Sequence, residues 1–62
     1  MFRVQFLALG EGSAVWVAQE SILVADSAVS AIDHVINSIW PPEAIAFRLV
    51  DGHGREVFPA RG

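Results

Sequence analysis

The chain has 62 residues, no cysteine and a net charge of −3, and 53% of it is apolar against 18% charged. A domain this short buries only about 60% of the surface its unfolded chain exposes, so it needs support from cross-links, a metal, oligomerisation or close packing. Without cysteine there is no disulfide framework and no thiolate metal site, the apolar content rules out disorder, and four arginines against seven acidic residues make no basic stripe for nucleic acid.

FRVQFLAL, residues 2–9, alternates like a strand, with Phe2, Val4, Phe6 and Ala8 on one face and Arg3, Gln5, Leu7 and Leu9 on the other. GEGS, residues 10–13, supplies turn residues. AVWVAQ, residues 14–19, is β-branched and aromatic and reads as a second strand, antiparallel to the first. ESILVA, residues 20–25, either extends that strand past a bulge or forms a short strand of its own.

Asp26 or Ser27 then offers a side-chain oxygen to the free amides of a helix. Ala28, Val29, Ile32, Val35, Ile36 and Ile39 recur at helical spacing, which predicts a helix over about residues 27–39 with those side chains buried, Ile32 and Ile36 foremost. Ser30, Asp33, His34 and Asn37 fall on the opposite, solvated face. Pro41 and Pro42 cannot continue the helix, and Trp40 beside them is expected to pack in the core.

EAIAFRLV, residues 43–50, and REVF, residues 55–58, are two further strands joined through Asp51-Gly52-His53-Gly54. Aspartate first and glycine fourth suit a type I turn, with Gly54 in the left-handed region closing a three-residue loop. That loop sets Asp51 across from Arg55, Leu49 from Val57 and Phe47 from Pro59. Arg48 and Glu56 then share a face. Asp51 and His53 are too few for a zinc site, and a strand rather than a helix follows, which argues against phosphate binding. The stretch is therefore a turn. Ser30, Asp33 and His34 lie together on one helical turn, but an exposed helix face provides neither cleft nor oxyanion donors, so no catalytic triad is read from them.

The expected fold is α+β: a small, mainly antiparallel four-stranded sheet in the order β-β-α-β-β, with one helix packed on one face. The connection through the helix is a candidate right-handed crossover, which would make one strand pair parallel. The helix is expected to cover Phe2, Val4, Phe6, Val15, Val17, Ile45, Phe47, Leu49 and Val57. The alternation sends Leu7, Leu9, Trp16, Val50 and Phe58 to the other face, with Ala14, Ala18 and Ala46 between them. An antiparallel sheet open to water normally alternates cleanly between apolar and polar residues, and this one does not.

These five large residues are the candidate interface, and a homodimer or a complex with another protein is the expectation. No cofactor, metal or catalytic residue is expected, and no segment is long and apolar enough to span a bilayer. MFRVQF has no basic region before a long apolar core, so no signal peptide is expected, and the cytoplasm is the default compartment. The functional expectation is a non-catalytic interaction or oligomerisation module. A small-ligand-sensing or regulatory domain acting on a partner is the alternative, which a pocket between helix and sheet would mark. A nucleic-acid-binding regulator is opposed by the charge.

Overall fold

The computed structural model describes residues 1–59. Strands β1 (Phe2–Leu9), β2 (Val15–Leu23), β3 (Ala44–Val50) and β4 (Glu56–Phe58) form one sheet, and helix α1 (Ala28–Ile36) lies between β2 and β3 in the chain. The α+β fold, with its β-β-α-β-β order and antiparallel four-stranded sheet, is as the alternation and helical periodicity imply. In space the strands run β2-β1-β3-β4. All three ladders are antiparallel. The crossover through α1 does make β2 and β3 run in the same direction, but β1 separates them, so no adjacent pair is parallel.

The β1–β2 hairpin closes through a short 3-10 turn at Glu11–Ser13, where Gly12 and Ser13 both take positive φ. β2 runs on to Leu23 without a break, so residues 20–23 extend it. A bulge makes this possible: Phe6 faces Gln19 and Leu7 faces Val17, leaving Ala18 without a partner. A second bulge sits beside it on β3, where Leu7 faces Ala46 and Ala8 faces Ala44, leaving Ile45 over. A third leaves Val57 over on β4, with Leu49 facing Phe58 and Val50 facing Glu56. Because side chains alternate with period two, each extra residue exchanges the two faces beyond it.

The consequences correct five face assignments and one pairing. Val15 and Val17 face Leu9 and Leu7, away from the helix, while Trp16 faces Ala8 on the helix side. Ile45 is exposed, and Ala44 packs against the core instead. Phe58 turns onto the helix side, where its ring stacks on Phe47. Leu49 is therefore opposite Phe58, not Val57. Val57 also packs against the core, as expected, but from the bulge position.

Ser27 is the N-cap of α1, its Oγ accepting the Ser30 backbone N–H at 3.1 Å. The helix ends at Ile36, three residues short of expectation. Asn37 caps it, and the Val35 carbonyl accepts from the Ser38 hydroxyl and the Trp40 indole N–H, both at 2.8 Å. These bonds satisfy a carbonyl that the helix can no longer reach, and they turn the chain before Pro41.

The helix is also rotated from the expected phase. Ala31 and Val35 are buried, Ile32 packs against the core, and Val29, Ile36 and Ile39 are exposed. Ala31 allows the helix to sit close to the sheet, because a methyl group is all that stands between them. The core is Val4, Phe6, Ala31, Val35, Phe47 and Leu49. Trp40 closes one end of it as expected, with its ring 5.5 Å from Phe6 and 5.6 Å from Phe47.

Candidate functional site

The Asp51-Gly52-His53-Gly54 stretch is a turn. The Gly54 N–H donates to the Asp51 carbonyl at 3.1 Å, Gly54 has φ +80°, and His53 is exposed. Asp51 Oδ1 accepts the backbone N–H groups of Arg55 and His53. Those bonds, Arg55 first, hold its carboxyl below the ordinary value of 3.8. Every lone pair engaged in this way is used to shape the loop. Among the described residues no group of three or more His, Asp or Glu is placed to hold a metal.

Ser30, Asp33 and His34 do not form a triad. The Ser30 backbone is tied to the N-cap, and the Asp33 carboxylate accepts from Asn37 at 3.4 Å, not from His34. His34 points instead to the β2 side of the helix, where it lines a groove.

The open face of the sheet divides into two halves. Across its middle runs a row of polar side chains, one from each strand. The Gln5 amide donates to Glu20 at 2.6 Å, Gln5 Oε1 accepts from Arg48 at 2.8 Å, and Arg48 pairs with Glu56 at 3.8 Å. Arg48 and Glu56 thus share a face as the turn register required. This row satisfies its own hydrogen bonds laterally, so it is a solvated surface rather than a reactive one.

Towards the β1–β2 hairpin the same face turns apolar. Leu7 is half-buried, while Leu9 is 56% exposed and Val15 59% exposed, with Val17 and Ala46 beside them. Of the five interface candidates, Leu7 and Leu9 are in this patch. Val50 is half-buried at the far end of the face, opposite Arg3 and Glu56. Trp16 is on the other side of the sheet, and Phe58, half-buried, packs against the core there. Sequence reasoning missed Val15 and Val17, which the bulge at Ala18 delivers to the patch in place of Trp16.

Strand β2 gathers most of this exposed apolar surface. It is nine residues long and forms one edge of the sheet, with its outer row of backbone groups unpaired by any strand among the described residues. Val15, Trp16, Val17 and Ile22 are all exposed. The opposite edge, β4, has three residues, all half-buried. Proteins usually blunt a sheet edge with short strands, charges or bulges. β2 has a single charge, Glu20, and its bulge, and is otherwise open.

Beside β2 on the helix side lies a cavity of about 210 Å³. Its floor is Val4, Phe6, Leu23 and Val35, and its polar rim is Gln19 and Ser21 from β2, His34 from α1 and Ser38 just past the helix end, with Ile22 and Ile39 beside them. Gln19 and Ser21 stand opposite Phe6 and Val4, at positions where the alternation calls for core residues. The helix does not cover them. Compared with known protein families, curated proteins and solved structures, the chain matches none.

Proposed function

We propose that this protein is a non-catalytic interaction module that self-associates as a homodimer through the β2 side of its sheet. One observation carries the reading: the nine-residue edge strand exposes Val15, Trp16, Val17 and Ile22 along an unpaired row of backbone donors and acceptors. Such an edge is a ready template for pairing with another strand, and a two-fold pair through one self-complementary patch is the commonest closed assembly. Because a folded chain of this size is marginally stable, association would also raise its stability by mass action. Size-exclusion chromatography with light scattering tests the reading. The parent chain is expected to elute with twice its single-chain mass of 6.7 kDa, and Val17→Glu, which puts a negative charge in the patch, with the single-chain mass.

A second reading, a small-ligand-sensing domain, is favoured by the groove between α1 and β2. Ligand pockets usually take ~300 Å³ or more, and this one holds about 210 Å³. A thermal shift upon addition of a metabolite panel would raise it above the first. Nucleic-acid binding keeps only the weak standing that the net charge gives it.

A further inference from the structure

We infer that the groove between α1 and β2 receives Trp16 of a second copy, so that the homodimer pairs β2 with β2 and exchanges two indoles. The inference rests on the self-association reading and specifies its geometry.

The ladder to β1 puts Trp16, Gln19, Ser21 and Leu23 on the helix side, and Val15, Val17, Glu20 and Ile22 on the open side. When two copies of the strand pair about a two-fold axis, residues directly opposite must share a face. A straight strand has many such registers. The bulge at Ala18 shifts the alternation halfway along, so most registers that pair the whole strand put side chains of opposite faces together.

The register that pairs the most residues without this conflict is centred between Ala18 and Gln19. It sets Val15 opposite Ile22, Trp16 opposite Ser21 and Val17 opposite Glu20, each residue with its counterpart in the other copy. Glu20 then meets a valine and not a second Glu20, so no like charges are opposed. Val15 and Ile22, 59% and 68% exposed in the single chain, cover each other on the open side.

On the helix side, the same register brings each Trp16 over the other copy's Ser21, at the mouth of the groove. The fit is reasonable in size. A cavity of ~150 Å³ takes a benzene ring of six atoms, and the groove of about 210 Å³ suits the nine-atom indole. It is also reasonable in chemistry. A buried indole wants an apolar bed and one acceptor for its N–H. The floor is apolar, and the rim offers Gln19, Ser21 and the His34 imidazole, which has no hydrogen-bond or ion-pair partner among the described residues. This explains why β2 carries polar residues where the core pattern asks for apolar ones. In the single chain the Trp16 ring lies against Gly10, so docking requires a rotamer change, which is common at interfaces.

Stable interfaces bury about 1,000 Å² or more in total. Pairing the whole strand adds Trp16, Ile22 and the backbone edge, in both copies, to the area that the open-face patch alone would bury.

Three variants test this by sedimentation equilibrium, with melting curves to check that each folds. Trp16→Ala removes the knob, and Ser21→Leu fills the hole without touching the knob. Each is expected to raise the dimer dissociation constant at least tenfold and to leave the chain folded. Val15→Cys/Ile22→Cys is expected to form a covalent dimer on mild oxidation, since the parent has no cysteine and these positions are too far apart within one chain to join. A dimer that survives Trp16→Ala or Ser21→Leu unchanged, or a cysteine pair that does not cross-link, overturns the groove geometry while self-association stands. A parent chain of single-chain mass at every concentration overturns both.

Discussion

The rings of Phe47 and Phe58 stack 4.8 Å apart, with planes 15° from parallel. Simple alternation from the turn would put Phe58 on the other side of the sheet. The bulge at Val57 brings it back, so a strand of three residues anchors itself through one ring. Phe58→Ala is expected to cost about 2–3 kcal/mol, somewhat under the usual loss for a fully buried phenylalanine. Urea unfolding of the variant measures it. A change within about 0.5 kcal/mol would return Phe58 to the surface.

The helix phase is tested by two neighbours. Val35 is 2% exposed and Ile36 is 61% exposed. Val35→Ala is expected to cost ~2 kcal/mol through lost burial and a residual cavity, and Ile36→Ala about 0.5 kcal/mol or less. Equal losses in chemical denaturation would mean that the helix is rolled by a good part of a turn.

The β3–β4 turn has a backbone test and a pH test. Gly54 has positive φ and no atom near where a Cβ would stand, so Gly54→Val is penalised by backbone conformation alone, by about 1 kcal/mol or more. His53→Ala is expected to leave the melting temperature unchanged.

Asp51 titrates below its ordinary value of 3.8 because it accepts the Arg55 and His53 amides. A carboxylate with a lowered folded value contributes stability above its unfolded value and loses it as pH falls through the folded one. Asp51→Asn is therefore expected to melt below the parent at neutral pH, with the gap narrowing as pH falls below 3.8. A gap independent of pH would show that the carboxylate charge plays no part in the turn.

The elements and the turn were legible because their signals are local. A serine N-cap, an Asp-x-x-Gly turn and runs of alternating residues depend on neighbours in the chain. The bulges at Ala18, Ile45 and Val57 carry no such mark, since an alanine, an isoleucine and a valine fit any strand position. Each flips the alternation, which is why Trp16 and Phe58 changed sides and Val15 and Val17 took their place on the open face. The helix phase was ambiguous for a related reason. Apolar residues surround much of α1, and the small Ala31 rather than the large Ile36 faces the sheet, because close approach of helix to sheet favours the smaller side chain. The groove was invisible from sequence, since it depends on which strand the helix leaves bare.

Sedimentation equilibrium of the unmodified chain, from low micromolar to near millimolar, most directly tests whether the β2 edge closes on itself. The expected result is a weight-average mass that climbs from 6.7 kDa towards twice that value and fits a monomer–dimer equilibrium. A mass that stays at 6.7 kDa across the whole range would contradict it.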